Sequence, residues 1–389
     1  MPLDWQSKIS QRVQKLKPSG IREFFDIVAG RQDCISLGVG EPDFVSPSSV
    51  IDATIESLRG GYTHYTGNAG LPSLRREISK YLEKEYDLSY DPMSEILITV
   101  GVSQGIDLAY RSILNPGDGL IYTQPSYVSY GPLIELTGGV PLVAYTDFEK
   151  QFRFSAIELE KAWQPNAKAI FLNYPSNPTG AGLKSEDLAS IAKFTAEKDM
   201  LCISDEIYAE LTYEGTHTPI ATLPGMKERT LTLGGFSKSF AMTGWRIGYA
   251  CGPADWIRAM TKIHQYSMLC APIQGQIGAE AALKYAISDR DRMKDNYKRR
   301  RDLIVQGFRE LGLPCHLPEG AFYVFPDIRS TGLSSMQFAK NLLEDQNVAV
   351  VPGTAFGSNA EGFIRCSYAT ASEEIKKALE RIGKFTSTI

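Results

Sequence analysis

A lysine amine can condense with an aldehyde, and Lys238 lies in an unusual setting for a lysine. It stands between Ser237 and Ser239, after Gly234-Gly235-Phe236 and before Phe240-Ala241-Met242-Thr243-Gly244-Trp245-Arg246-Ile247-Gly248. For an isolated lysine a solvated surface position is the default reading. Here Arg246, a short way downstream, supplies a planar fork of donors suited to phosphate. Amine, hydroxyl and guanidinium together fit a bound phosphorylated aldehyde.

Three further segments could serve the same chemistry. In Leu201-Cys202-Ile203-Ser204-Asp205-Glu206-Ile207-Tyr208 an apolar run ends in a carboxylate, with a phenol close behind. Asp205 could cap a helix, the commonest structural use of such a residue, or lie under a ligand with Tyr208 beside it. Asn173-Tyr174-Pro175-Ser176-Asn177-Pro178-Thr179-Gly180 follows another apolar run, and its prolines and glycine force a tight, rigid loop. Asparagines bonding their own backbone account for one of the two, but not for the whole run. Gly101-Val102-Ser103-Gln104-Gly105 follows a strand-like run and opens a helix-like one. Such a junction offers free N–H groups and the positive end of a helix dipole to an anion.

These segments need a scaffold that brings them together. Strand candidates fall at 95–100, 120–123, 141–145, 169–173, 201–204, 230–233 and 247–250, with helix-like stretches such as 104–114 and 185–198 between them. That alternation reads as βαβ construction, in which ligands collect outside the carboxyl ends of the strands. The texture changes after about residue 285. A charged helix pattern over 290–311 precedes strand candidates at 321–325, 348–351 and 363–367. The stretch up to Phe44 does not fit the βαβ rhythm and is expected to pack against this later unit.

Composition narrows the function classes. The chain has 389 residues, 43% hydrophobic and 22% charged, with a net charge of -4, so it has no electrostatic footprint for nucleic acid. The cluster Lys298-Arg299-Arg300-Arg301 reads as a solvated helix face. The six cysteines are scattered singly, several in apolar runs, as expected of small buried hydrophobes rather than a disulfide framework or zinc site. The four histidines are isolated and lack metal-ligand spacing, so no metal is expected. The polar N-terminus lacks a signal core, and no apolar stretch is long enough to cross a bilayer. A cytoplasmic location is expected.

The four segments, in this order, resemble those of fold-type-I pyridoxal-phosphate aminotransferases of the aspartate/aromatic aminotransferase family. The likeness runs from Gly38-Val39-Gly40-Glu41-Pro42-Asp43-Phe44 to Phe363-Ile364-Arg365-Cys366-Ser367-Tyr368-Ala369-Thr370. It implies an α/β fold: a large domain with a mostly parallel seven-stranded sheet sandwiched by helices (46–285), and a smaller α/β domain from both termini (1–45 and 286–389). It also implies pyridoxal 5'-phosphate, held by Lys238 as a Schiff base. Asp205 then pairs with the pyridinium nitrogen, Asn177 and Tyr208 bond the phenolic oxygen, and Tyr127 stacks on the ring. Ser103, Gln104, Ser237 and Arg246 form the phosphate cup. Tyr65 reaches the phosphate of a neighbouring subunit, which implies a homodimer with shared sites. Arg365, helped by the Gly40 backbone, grips the substrate α-carboxylate.

The resemblance divides over the amino donor. An aspartate-specific subgroup is similar over Thr243-Gly244-Trp245-Arg246-Ile247-Gly248-Tyr249-Ala250, but carries a lysine where this chain has Ser103. That lysine reads the distal carboxylate. Relatives with a start similar to Ile21-Arg22-Glu23-Phe24-Phe25-Asp26-Ile27 act on aromatic amino acids or on an acylated diaminopimelate. The expectation is an aromatic or broad-specificity L-amino acid donor with 2-oxoglutarate as acceptor. The alternatives are an aspartate or N-acetyl-diaminopimelate aminotransferase, or a cystathionine β-lyase-like C–S lyase on the same fold.

Overall fold

A computed structural model of the chain describes residues 3–16, 31 and 33–388. The run Ile21-Arg22-Glu23-Phe24-Phe25-Asp26-Ile27 lies outside them. A short strand β1 (Ile35–Ser36) comes first, followed by the strands of the main sheet: β2 (Ile96–Thr99), β3 (Gly119–Gln124), β4 (Val140–Tyr145), β5 (Ala167–Asn173), β6 (Leu201–Asp205), β7 (Thr230–Gly235) and β8 (Gly248–Cys251). Their order in the sheet is β2-β8-β7-β6-β5-β3-β4. Pairing is parallel except for β8, which runs antiparallel to both β2 and β7.

Side chains alternate between the two faces of a strand, and both faces here are apolar. Leu120, Tyr122, Ala169 and Phe171 enter one buried cluster, where Ile257 and Met260 of the helix Ala254–Ser267 meet them. Ile121, Ile170, Leu172 and Leu142 enter another, against Leu188 and Ile191 of the helix Ser185–Glu197. That helix buries Leu188, Ile191, Ala192 and Thr195 on one stripe, at the spacing expected of an amphipathic helix. Helices on both faces explain why these strands read as continuous apolar runs.

From Ile35 on, the start of the chain joins its end in sheets separate from this one. The helix Gln11–Lys15 instead lies against the helix Tyr130–Thr137, with Arg12 donating to the Leu136 carbonyl at 3.4 Å. The expectation that the stretch up to Phe44 packs on the later unit therefore fails for that helix. Pairing of β1 with β10 (Val348–Ala349) is parallel, while β11 (Val351–Pro352), β12 (Ile364–Ser367) and β9 (Tyr323–Val324) form an antiparallel sheet in the order β11-β12-β9. Their cluster takes Ile35 and Leu37 from the start of the chain and Phe338, Ile375 and Phe385 from its end. Buried Ala286 separates the helix Ile273–Tyr285 from the helix Ile287–Glu310. The change of texture near residue 285 therefore falls at a helical junction.

The basic cluster departs from the reading of a solvated face. Arg300 and Arg301 are 9% and 2% exposed. Arg300 meets Asp43 through two bonds of 2.7 and 3.0 Å, and its guanidinium lies 5.0 Å from the Phe44 ring. Arg301 bonds Glu214 at 3.0 Å and the Pro318 carbonyl at 3.0 Å. Arg301 also pairs with adjacent Asp302 at 2.8 Å, but Asp43 and Glu214 come from distant segments, of which local sequence gave no sign. Only Arg299 of the four is exposed, with Lys298 half-buried.

Candidate functional site

The parallel strands deliver their carboxyl ends to one edge of the sheet, as doubly wound sheets do. Asn173 ends β5 and Asp205 ends β6, and the two are neighbours in register. The Asn173 amide donates to the Asp205 carbonyl at 3.0 Å, while its own Oδ1 accepts from the Asn177 N–H at 3.1 Å. The loop bearing Asn177 is thereby tied to the strand bearing Asp205. Beyond β7 the chain makes the loop 236–247 and returns as β8, closed at its base by the pairing of Gly235 with Gly248. Lys238, Thr243 and Arg246 all lie on this one loop.

Lys238, Asp205, Tyr208, Asn177, Tyr127 and Arg365 line one cavity of about 340 Å³. Gly40, Ser103, Ser237 and Arg246 line it too. The Lys238 amine donates to the Gly40 carbonyl at 2.8 Å. Burial lowers its pKa to about 8; Glu41 opposes that shift, and Arg365 and Arg246 assist it. Asp205 is 3% exposed, and burial raises its pKa to about 6 against hydrogen bonds from the Tyr130 hydroxyl at 2.8 Å and the Ile207 N–H at 3.2 Å. A carboxyl so placed is stabilised as an anion by any cation brought beside it.

At the other side of the cavity Arg365 is 3% exposed. Its Nη1 donates to Asn177 Oδ1 at 3.0 Å and its Nη2 to the Gly38 carbonyl at 2.6 Å, while its Nε is buried without a partner. The guanidinium is sandwiched between the rings of Tyr323 and Phe356, at 4.5 and 4.7 Å. Among the described residues no carboxylate pairs with it. A buried cation with neutral partners only is a receptor for an anion.

A third cationic corner forms at the head of the helix Gly101–Ile113. That helix starts at Gly101, with φ +70°, rather than near Gln104. Arg246, itself at φ +57°, lays its guanidinium against this turn and donates to the Thr243 carbonyl at 2.9 Å. A Cβ at Gly101 would come within 2.5 Å of Arg246 Nη2, so glycine is what admits the arginine. Helix amides, Ser103, Ser237 and Arg246 thus surround one corner suited to a phosphate.

Two expected residues do not enter the cavity. The Gln104 side chain turns back to accept from the Val100 N–H at 2.7 Å. Tyr65 is 83% exposed and lines a separate pocket with Met268 and Pro272. Two residues that the sequence reading missed are central. Tyr130 holds Asp205, and the Tyr323 hydroxyl lies 2.8 Å from that of Tyr208. Trp245 stays out of the cavity: its indole N–H donates to Ser46 at 2.9 Å.

The fold and the assembled cavity can now be set beside known proteins. Residues 32–382 match the family of class I and II aminotransferases. The chain belongs to this family, and it is an aminotransferase. It is 52% identical over 379 residues to the protein YugH of Bacillus subtilis (strain 168), covering 97% of this chain and 98% of that one. It is 43% identical to an aspartate aminotransferase of Pyrococcus abyssi, covering 97% of each. The crystal structure of an aromatic aminotransferase from Pyrococcus horikoshii OT3 superposes with a TM-score of 0.90 at 40% identity, covering 95% of this chain and 99% of that one.

Proposed function

We propose that the chain is a pyridoxal-phosphate-dependent aminotransferase that takes the amino group of an aromatic, or broadly chosen, L-amino acid and passes it to 2-oxoglutarate. The observation that carries this reading is the convergence in one cavity of the Lys238 amine, the buried Asp205 carboxyl and the cations Arg246 and Arg365. The residues present fit pyridoxal phosphate. Arg246, Ser103, Ser237 and the helix start, with the Gln104 backbone, would hold its phosphate. Asp205 would face the ring nitrogen, Asn177 and Tyr208 the phenolic oxygen, and Tyr127 the ring face. Lys238 would hold the aldehyde carbon, and Tyr65 of a second copy would complete the phosphate cup.

When bound, the cofactor supplies an electron sink for the pair left on Cα after deprotonation. The rest is work for the chain's own residues. Arg365 grips the α-carboxylate of the donor, and this fixes where Cα–H lies. Lys238 Nζ takes the Cα proton as a general base and returns a proton as a general acid. A pKa of about 8 leaves a useful fraction of this amine neutral near physiological pH. Asp205, as an anion, keeps the ring nitrogen protonated.

The donor preference rests on the cavity. Kinship alone leaves it open, since one relative is named for aspartate and a structural neighbour for aromatic substrates. Ser103 lines the cavity where the aspartate-specific pattern has a lysine, so a second carboxylate lacks that cation. A matrix of amino donors against pyruvate, oxaloacetate and 2-oxoglutarate tests the proposal. Turnover of aspartate much faster than of phenylalanine or tyrosine would overturn the donor preference. We place the enzyme in the cytoplasm; among the described residues no helix is long and apolar enough to cross a membrane.

A further inference from the structure

Tyr323 is 1% exposed and touches three parts of the site at once. Its ring lies 4.5 Å beneath the Arg365 guanidinium. Its hydroxyl lies 2.8 Å from the Tyr208 hydroxyl. The same hydroxyl abuts the strap that carries the acceptor of Lys238, because a Cβ at Gly40 would overlap it. The titratable and charged groups around the two phenols include Arg365, Asp205, Tyr127, Tyr130, Tyr297 and Tyr368, and burial pushes both phenols above the usual tyrosine range. Each hydroxyl therefore keeps its single proton.

Among the described residues, Tyr208 is the hydrogen-bond partner of the Tyr323 hydroxyl. If Tyr208 donated, the Tyr323 proton would be buried without an acceptor, which is costly. Donation from Tyr323 to Tyr208 instead frees the Tyr208 proton for the cavity that both residues line, where on the pyridoxal-phosphate reading the phenolic oxygen would accept it. A phenol that accepts one hydrogen bond also donates a stronger one, since such bonds polarise one another.

We propose that Tyr323 is a positioning residue for the transamination, its hydroxyl aiming and strengthening Tyr208 while its ring fixes the plane of Arg365. The proposal rests on the pyridoxal-phosphate reading above. It makes the two halves of one side chain separable. Tyr323→Phe deletes the donation but keeps the ring. Tyr323→Leu deletes both.

The test uses holoenzyme with two readouts other than turnover: the pH titration of the bound cofactor's absorbance, and the equilibrium binding of the unreactive carboxylate 3-phenylpropanoate. A weaker Tyr208 donor would leave the cofactor oxygen less able to hold the negative charge that deprotonation leaves on it. The absorbance midpoint of Tyr323→Phe should therefore rise by about half a pH unit or more, with analogue binding within about twofold of wild type. Tyr323→Leu should in addition bind the analogue about tenfold more weakly, as expected on loss of a buried cation–π contact. An unmoved midpoint in Tyr323→Phe overturns the proposal, as does unchanged analogue binding in a folded Tyr323→Leu. If the leucine variant does not fold, the phenylalanine variant decides alone. Wild-type protein that takes up no pyridoxal phosphate would overturn the cofactor reading and this proposal together. A normal wild-type titration with silent variants overturns only this proposal.

Discussion

Burial lowers the pKa of the Lys238 amine, and on the proposed reading this would govern how the cofactor loads. The amine is lowered from 10.5 to about 8, chiefly because a buried ammonium loses its hydration. The unfolded chain keeps that proton up to the ordinary value, so rising pH stabilises the folded state between the two values. Below the folded value that contribution is gone. The neutral amine is the reactive form. Uptake of pyridoxal phosphate by cofactor-free protein is therefore expected to quicken with pH and level off near 8. A stopped-flow rate that stays flat from about pH 6 to about pH 9 would contradict this assignment of Lys238. Arg365→Lys keeps a charge but loses the fork. It should raise the KM for the amino donor about 10- to 100-fold, the equivalent of roughly 1.5–3 kcal/mol for a charged hydrogen bond, with a smaller change in kcat. Steady-state kinetics that leave KM within about twofold would place the α-carboxylate elsewhere. Most cavity residues were legible in the sequence because they stand in compact runs with a chemical signature. Tyr130 and Tyr323 were not. Each acts on a residue far away in the chain, Asp205 and Tyr208, and an isolated tyrosine in an apolar run reads as core.

At the scale of elements, the loop 174–180 joins the large sheet to the segment leading into β9. The Gly180 carbonyl accepts from the Glu319 N–H at 2.9 Å and the Gly320 N–H at 3.2 Å, while the Gly180 N–H donates to Ser176 at 2.8 Å. Gly180 has φ +70°, and a Cβ there would lie 2.5 Å from the Pro318 Cβ and 2.9 Å from the Tyr323 carbonyl. Gly180→Ala should therefore destabilise the fold by about 1–3 kcal/mol and displace Asn177 with the loop. Thermal unfolding indistinguishable from wild type would show that the loop has slack. The strands of the main sheet were legible because both faces are buried, so each appears as an apolar run bounded by turn residues. Helix starts were less so. The helix Gly101–Ile113 begins on a glycine in the left-handed region, where sequence alone reads a turn. Arg300 and Arg301 were misread for a similar reason: beside the local Asp302, their partners Asp43 and Glu214 are supplied by other elements.

At the scale of the whole molecule, Tyr65, expected at the phosphate, lies outside the cavity of its own chain. Tyr65 stands 83% exposed beside Met268, itself 49% exposed. If Tyr65 serves a neighbour, Tyr65→Ala chains, which retain the cofactor poorly, and inactive Lys238→Ala chains should show more cofactor retention and activity when unfolded and refolded together than either does alone. Mixed pairs then hold one intact site. Absence of any recovery, with pairs formed, would confine each site to a single chain. This position could be foreseen only as a role, because exposure of an aromatic side chain depends on what covers it. The loop 236–247 has a different reach. Its ends are joined by the pairing of Gly235 with Gly248, and it carries both the amine and the guanidinium that line the cavity. On the proposed reading it would act as a gauge, selecting a ligand by the span between its carbonyl carbon and its anionic tail. An analogue one methylene longer in that span would have to forgo one of the two holds.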